Sequence, residues 1–292
     1  MLFKKLDRVT IISPCFNGEE YVKPHIESIL SQQYDSLEYI FVNDGSEDLT
    51  EKIIFSYKNK FKEKNIRFIY LKQENKGQAA AINLGLKKAS GKYLSCIDAD
   101  DILLPNFVSE MSLYLKKHQD ASICFPMAEQ VKEKTFEHLE YRSRKLAPNV
   151  VDTFLDDMLT HYNVPHYPSY MLRMRDFVKV YPKRQIFEAL SGQNPQLILP
   201  FAYNRKVGYL DKRLIKQVVR AKSDSLGLTD REKLIKYRNW ENLYCQTLKS
   251  IPQMPDYEKA HYFSTIKNLF VERRQVIIQK IRAGGENNAN NG

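Results

Sequence analysis

Residues 93–105, YLSCIDADDILLP, predict a buried strand that ends in three carboxylates. The apolar run before Asp98 has strand character, and Asp98, Asp100 and Asp101 interrupt it before apolar residues resume at Ile102. These carboxylates repel one another, and removing them from water is costly unless a positive charge lies among them. Mg²⁺ and Mn²⁺ prefer oxygen ligands of this kind, so the pattern indicates a divalent-metal site.

Two interpretations of this stretch stand. Strand alternation would place Asp98 and Asp100 on the same side, with the small Ala99 leaving room between them. An acidic turn that caps the following helix is the alternative, and Asp101 fits that role equally well. An isolated Asp-x-Asp does not decide between them, so the rest of the chain must.

The composition describes an ordinary globular protein with a basic charge. With 292 residues the chain can bury a sizeable core, and it is 43% hydrophobic and 27% charged. Its 45 basic and 35 acidic residues give a net charge of +10, which favours anionic partners such as phosphates, nucleic acid or a membrane surface. No aromatic-basic motif accompanies this charge, so we expect no nucleic-acid partner.

The cysteines and the apolar runs indicate the compartment. Cys15, Cys96, Cys124 and Cys245 form no Cys-x-x-Cys pair, which favours free thiols in a reducing environment. The first eight residues are too short for a signal peptide, and no apolar run approaches the ~20 residues of a membrane span. We therefore expect a cytoplasmic protein, with peripheral contact at the inner face of the membrane as an open alternative.

Strands and helices alternate regularly in the first half of the chain. The predicted strands cover residues 9–13, 38–42, 66–71 and 93–97, with a helical pattern after each of the first three. This order is typical of βαβ units and a parallel sheet with helices on both faces. Polar loops follow the strands at residues 14–18, 43–46, 73–77 and 98–101. Ligands bind beyond the carboxyl ends of such strands, so these loops predict one ligand-binding edge.

Three segments in register carry a family resemblance: SPCFNGEEYVKPHIESILSQQY (13–34), EYIFVNDGSEDLT (38–50) and ENKGQAAAINLGLKKASGKYLSCIDADD (74–101). Over about residues 8–128 the chain resembles the N-terminal half of a family-2 glycosyltransferase with the GT-A fold. The resemblance implies a Rossmann-like, mostly parallel α/β sheet with flanking helices. It also implies an inverting transferase that uses a nucleotide-diphosphate sugar, with UDP favoured, and Mn²⁺ or Mg²⁺. The acceptor would be a glycan or lipid-linked glycan, as in bacterial-type surface polysaccharide or lipopolysaccharide synthesis.

The resemblance assigns roles to individual residues. Asp44 matches the carboxylate that receives the base, Asp98 the ribose-side carboxylate, and Asp100 the metal ligand that bridges the diphosphate. The nucleotide-sugar residues that it implies are Pro14, Phe16, Asn17, Glu20, Asp44, Lys76, Gly77, Ala81, Asp98, Ala99 and Asp100. Ile82 replaces a frequent family arginine, and Asp44 as a plain turn former is the alternative.

The general base is where the chain departs from the family. Gln193 and Asn194 occupy the place of the usual Glu-Asp pair, and an amide cannot accept a proton from an attacking hydroxyl. Residues 187–196, FEALSGQNPQ, resemble a family branch with a Gly-Gln-Asn signature and a glutamate five residues upstream. Glu188 is then the expected base, with Gln193 and Asn194 on the acceptor side. The alternative is a catalytically impaired binding or scaffold subunit in which Glu188 only packs beside the acceptor helix.

A later polar loop supplies one more metal candidate. Asp224 stands where many GT-A enzymes offer a histidine to the metal or the diphosphate, and Arg220 and Lys222 beside it could neutralise phosphates. A surface turn is the equally weighted alternative. We expect residues 129–149, which are charged and aperiodic, to form an irregular loop, and Ser46 to cap the second helix.

The predicted organisation is a GT-A domain at 1–227, a helical extension at 228–283 and a disordered tail at 284–292. The nucleotide-sugar half would cover about 8–128 and the acceptor half about 129–227. Thr229 and Glu232 predict a capping box at the start of the extension. Its second helix is amphipathic and basic; we favour packing on protein, on this domain or in a homo-oligomer, over contact with a membrane.

Overall fold

The computed structural model describes residues 6–142, 154–160, 169–189, 192–220 and 228–289. The strands described are β1 (Val9–Cys15), β2 (Leu37–Asn43), β3 (Arg67–Lys72), β4 (Tyr93–Cys96), β5 (Ile102–Leu103), β6 (Ala121–Lys132), β7 (His138–Arg142), β8 (Met171–Arg173) and β9 (Lys206–Val219). The helices described are α1 (Val22–Leu30), α2 (Thr50–Ser56), α3 (Lys58–Glu63), α4 (Gln78–Leu86), α5 (Phe107–Lys117), α6 (Phe154–Thr160), α7 (Met174–Val180), α8 (Asn194–Ala202), α9 (Asp230–Lys249) and α10 (Asp256–Ala289).

The described strands form one sheet in the order β3-β2-β1-β4-β8-β6-β9-β5, with β7 paired to β6. The strands β3, β2, β1 and β4 are parallel neighbours. Parallel neighbours need a crossover between them, which the helices α1, α2 with α3, and α4 provide. In the second half β8 runs antiparallel to both β4 and β6. The predicted α/β class, with flanking helices and a C-terminal helical region, is confirmed.

The parallel half of the sheet is covered on both faces. Every residue of β1 and β2 is buried. Successive side chains of a strand point to opposite faces, so Ile12 and Ile40 pack on the face that α4 covers, whereas Ile11 and Tyr39 pack on the α1 face. Both faces are therefore sealed by apolar contacts, and only the strand ends offer polar loops to a ligand.

Two local predictions were wrong. The stretch expected to be a loop from residue 129 continues β6 to Lys132 and then forms β7, which pairs with β6; residues 143–149 lie outside the described part. Pairing with β7 and β9 satisfies the backbone of β6, although its sequence lacks a clean alternation. Ser46 does not cap a helix: α2 begins at Thr50, and the Ser46 hydroxyl accepts a hydrogen bond from the Asn17 amide instead.

The C-terminal helices share a core with the rest of the chain. The predicted capping box of Thr229 and Glu232 is present at the start of α9. Phe270 of α10 and Leu248 of α9 lie in the same buried cluster as Leu197 of α8. The helix α10 continues to Ala289, past the predicted tail boundary at residue 284, and disorder of the tail stays a prediction. Within the described residues, no helix has the length and apolar character needed to cross a membrane.

We predict that Phe270→Ala destabilises the whole protein by about 3–5 kcal/mol, because it removes a fully buried ring from the shared core. Urea unfolding followed by circular dichroism and tryptophan fluorescence should still show one coincident transition. Val276→Ala on the same helix is the matched control and should change stability little, since Val276 is 66% exposed. Separate transitions for the extension and the sheet would contradict the shared core.

Candidate active site

The loops after β1 and β2 are hydrogen-bonded to each other. The Asn17 amide donates to Ser46 Oγ over 2.9 Å, and the Glu47 amide donates to Asn17 Oδ1 over 3.0 Å. The Gly18 amide donates to Thr50 Oγ1 over 2.7 Å. These bonds join the two loops into one edge and keep Phe16 beside it with 43% of its surface exposed.

Asp44 lies at this edge as a buried acceptor with a defined orientation. Its Oδ1 accepts hydrogen bonds from Gln73 Nε2 over 2.7 Å and from the Lys76 amide over 3.0 Å. Among the described residues Oδ2 receives no hydrogen bond, so it is the oxygen that can accept one from a ligand. Gln73 carried no signal in the sequence beyond its place at the end of the third strand.

Gly45 allows the loop after β3 to approach Asp44. Its φ is +80°, and a Cβ at this position would lie 2.6 Å from the backbone nitrogen of Asn75. Any other residue would therefore clash with backbone as well as being strained. The glycine of the Asn-Asp-Gly-Ser loop thus has a role in bringing residues 73–77 to the candidate site.

Residues 98–101, here called the acidic turn, bring three carboxylates together. The strand β4 ends at Cys96, and the Asp101 amide donates to the Asp98 carbonyl over 3.1 Å. One carboxylate oxygen from each of Asp98, Asp100 and Asp101 lies within 4.8 Å of the others. A turn, and not strand alternation, joins Asp98 to Asp100. The helix-cap alternative for Asp101 is wrong, because α5 begins only at Phe107.

Burial and the neighbouring charges raise the pKa values of Asp98 and Asp101, so these two carboxyl groups hold their protons more strongly. Burial raises the pKa of Asp98 to about 7, and the charge of Asp100 adds to this shift. Burial also raises the pKa of Asp101 well above its usual range, with the Asp100 and Asp98 charges adding. Gln78, at the start of α4, donates to Asp98 Oδ1 over 2.5 Å and favours the ionised form. Such a group gains most from a nearby cation.

Arg220 brings a positive charge to the acidic turn. Its Nε donates to Asp100 Oδ2 over 2.7 Å, and its guanidinium lies 4.4 Å from the centroid of the Tyr21 ring. Burial alone would lower the pKa of Arg220, but Asp100 together with the other neighbouring groups outweighs burial, and the pKa is raised. The two expected residues that follow, Lys222 and Asp224, lie in 221–227, outside the described residues.

The donor set of the acidic turn fits a hard divalent cation. Carboxylate oxygens are the ligands that Mg²⁺ and Mn²⁺ prefer, and substrate phosphates commonly complete their coordination. Asp98, Asp100 and Asp101 are the described residues that could hold such an ion.

The remaining nucleotide-sugar candidates differ in exposure. Glu20 and Lys76 are exposed, whereas Pro14, Ala81 and Ala99 are buried. Gly77 has a φ of +87° immediately before α4. Contact of these residues with a nucleotide stays a prediction.

Glu188 lies in an irregular segment that side-chain amides hold in place. Asn83 of α4 accepts from the Ile186 amide over 2.8 Å and donates to the Ile186 carbonyl over 3.0 Å. The same Nδ2 donates to Glu188 Oε1 over 3.1 Å. Gln196 of α8 pairs in the same way with both backbone groups of Phe187. Sequence reasoning missed Asn83 and Gln196, because nothing local indicates which backbone an amide will bond.

The acceptor-side pair lies at the start of α8. Gln193 is buried and precedes the first helical residue, Asn194, to whose Oδ1 it donates over 3.4 Å. The structure therefore confirms that a helix begins here. The roles of this pair and of Glu188 stay predictions.

We predict that Asp98→Asn raises the melting temperature of the ligand-free protein at pH 8. The unfolded carboxyl ionises near its ordinary pKa of 3.8, but the folded one ionises only near 7. Ionisation of Asp98 therefore lowers the free energy of unfolding of the wild-type protein. This loss is absent below pH 4 and complete above pH 7. The stabilisation should shrink steadily in melts recorded from pH 8 to pH 4. A gain that does not change with pH would contradict the raised pKa of Asp98.

Comparison with known proteins places these features in a family. The family description Glycosyl transferase family 2 matches residues 10–180. An uncharacterized glycosyltransferase of Rickettsia prowazekii is 41% identical over 109 residues, which cover 37% of this chain and 32% of that protein. The chain thus matches only about a third of the length of this relative.

Two solved structures share the fold at low sequence identity. S. aureus TarS 1-349 in complex with UDP-GlcNAc aligns with a TM-score of 0.65 and 19% identity, over 89% of this chain and 72% of that one. The mannosyltransferase PcManGT from Pyrobaculum calidifontis, in complex with GDP-Man and Mn²⁺, aligns with a TM-score of 0.58 and 13% identity, over 97% and 76%. The expected GT-A architecture is confirmed, and with the family match over more than half of its length the chain belongs to glycosyl transferase family 2.

Proposed function

We propose that this protein transfers a sugar from a nucleotide-diphosphate sugar, with UDP as the favoured nucleotide, to a hydroxyl of a glycan or lipid-linked glycan. The observation that carries the proposal is the acidic turn, whose three clustered carboxylates lie at the same sheet edge as Asp44. The complexes of the two structural neighbours, one with UDP-GlcNAc and one with GDP-Man and Mn²⁺, support the class of donor.

The donor base would bind at Asp44. A carboxylate that is held by Gln73 and the Lys76 amide presents a fixed acceptor, which suits the imide N–H of uracil. The exposed ring of Phe16 lies in the adjoining loop and offers an apolar surface to the nucleotide. Because this acceptor is already oriented, little freedom is lost when the donor binds.

The diphosphate would bind at the acidic turn. Asp98, Asp100 and Asp101 would hold Mn²⁺ or Mg²⁺, which when bound neutralises the charge that develops on the departing diphosphate. Arg220 donates to Asp100, so its guanidinium would add a positive charge beside that of the metal, near the same phosphates. Asp224 remains a proposed further metal ligand.

The acceptor hydroxyl would lose its proton to Glu188 as it attacks the anomeric carbon from the side opposite the diphosphate, which inverts the configuration. Asn83 orients this carboxylate by donating to Oε1, and it sits on the helix whose first turn contacts Asp98 through Gln78. The donor and acceptor sides would thus share α4 as a common support.

A second candidate is a nucleotide-sugar-binding subunit without turnover. The amides Gln193 and Asn194 at the start of α8 favour it, because no carboxylate stands there to accept a proton. Nucleotide binding without transfer to any glycan acceptor would support this alternative. A cytoplasmic location, a role in surface polysaccharide assembly and contacts of the extension with a membrane or a second copy stay predictions.

Calorimetric titration with UDP tests the donor site. We predict that Asp44→Ala weakens binding by about 1.5–3 kcal/mol, the range for a hydrogen bond to a charged group. Wild-type affinity should rise when Mn²⁺ is present, and the variant should retain that metal-dependent gain. Gln33→Ala is the control, because Gln33 lies away from this edge. Its backbone amide donates to the Pro105 carbonyl, and the substitution keeps that bond. Equal UDP affinity in wild type and Asp44→Ala would show that the base binds elsewhere.

Glu188→Gln tests the base. The substitution keeps the acceptor oxygen that faces Asn83 but removes basicity, so we predict a fall in kcat of ~10²-fold or more with donor affinity little changed. The readout is single-turnover transfer to a glycan acceptor, with UDP affinity measured in parallel. Near-normal turnover would return the role of base to an unassigned residue.

A further inference from the structure

A row of polar side chains on α1 faces the chain that carries the acidic turn. His25 and Ser28 lie one turn apart on the helix, and both are buried. The His25 Nδ1 lies 2.7 Å from the carbonyl oxygen of Asp101, and the Leu103 amide donates to Ser28 Oγ over 3.1 Å. These contacts tie the end of the acidic turn to α1.

The row continues just beyond the helix. Gln32 Nε2 donates to the Leu104 carbonyl over 2.9 Å, and Gln32 Oε1 accepts from the Val108 amide over 3.1 Å. His25, Ser28 and Gln32, here called the polar row, therefore bond four backbone groups between residue 101 and residue 108. Between the acidic turn and the start of α5 at Phe107 the chain forms only the two-residue strand β5, so side chains satisfy backbone groups that a longer strand ladder would otherwise bond.

The chemistry of His25 determines its tautomer. A carbonyl oxygen can only accept, so the hydrogen of the neutral ring lies on Nδ1 and points at Asp101. Nε2 is then an acceptor, and the Ser13 hydroxyl, 2.8 Å away, donates to it. Burial lowers the pKa of His25 to about 4, which keeps the ring neutral at pH 7. Both ring nitrogens are used, one toward β1 and one toward the acidic turn.

We propose that His25 is a positioning residue that holds the acidic turn in its metal-binding conformation. The proposal rests on the proposed function, because it takes the turn as the divalent-metal site. Asp101 is held from two sides: its carbonyl by His25, and its Oδ1 by the Val218 amide of β9 over 3.2 Å. Its own amide then fixes the Asp98 carbonyl. Release of the His25 contact would free one end of a four-residue turn whose carboxylates repel one another.

Two nearly isosteric substitutions separate the two contacts of the ring. In His25→Asn the amide nitrogen takes roughly the place of Nδ1 and can still donate to Asp101. In His25→Gln the amide reaches the place of Nε2, so the contact with Ser13 is kept and the contact with Asp101 is lost. Groups that orient metal ligands typically contribute 10–100-fold to metal affinity. We expect His25→Gln to weaken Mn²⁺ binding at least ~10-fold and His25→Asn to weaken it much less.

The measurement is the concentration of free Mn²⁺ by electron paramagnetic resonance, with UDP at saturation and full-length protein. Gln32→Leu is the matched control: it removes two bonds of the polar row far from the turn and should lower the melting temperature while preserving Mn²⁺ affinity. Asp100→Asn should abolish binding. Equal Mn²⁺ affinities for His25→Gln and His25→Asn would overturn the positioning role of His25. The metal site itself would stand, because wild type would still bind Mn²⁺ through Asp100. Absence of Mn²⁺ binding by wild type would overturn the metal site and this role together.

A measurement on the wild-type protein needs no variant to fold. Nitrogen-15 spectra of histidine-labelled protein distinguish the two neutral tautomers. The His25 signals are those that disappear in either His25 variant. The geometry requires that they show the Nδ1–H form at pH 7. An Nε2–H ring would mean that no hydrogen bond reaches Asp101, and it would overturn the proposal.

Discussion

Charge repulsion within the acidic turn is the constraint that the neighbouring elements counteract. One oxygen from each of three carboxylates lies within 4.8 Å of the others, and the raised pKa values of Asp98 and Asp101 reflect the free-energy cost of burying them together. Partners come from two separate parts of the chain: Gln78 from α4, and the Val218 amide and Arg220 guanidinium from the end of β9 and the residue after it. Because these partners hold the three carboxylates in place, the carboxylates cannot lower their mutual repulsion by moving apart.

The same sheet edge also links the nucleotide loops to the acidic turn. Tyr21 lies between them: its hydroxyl donates to the Phe16 carbonyl over 3.0 Å, and its ring contacts Arg220. The helix α1 follows directly and carries His25 to Asp101. A shift in the first loop would therefore also displace groups that contact the carboxylates of the acidic turn. Such coupling is useful when the base and the diphosphate of one donor must be bound in register.

The sequence was sufficient to predict the features that depend on local pattern, namely the strands, the helices and the residues at the strand ends. Asp44, Asp98 and Asp100 follow strands whose alternation with helices indicates a parallel sheet, so their common edge could be inferred without coordinates. Contacts between segments that are distant in the sequence could not be inferred in this way. Arg220 lies 120 residues from Asp100, and His25 lies 76 residues from Asp101. Ser46 carries the residue type of a helix cap, yet the first loop competes for its hydroxyl, and no local rule decides that competition.

Desolvation also gives a physical reason for amides at the start of α8. Gln193 is only 4% exposed, and an ionised carboxylate there would be buried with no described cation bonded to it. Glu188 is exposed and receives a hydrogen bond from Asn83, so its charge costs much less. Residues 186–188 have no regular secondary structure, but the side-chain amides of Asn83 and Gln196 bond the backbone of Ile186 and Phe187 as a neighbouring strand would. The Asn83 bond fixes the direction of the Glu188 carboxylate, and a fixed direction is what the proposed role as general base needs.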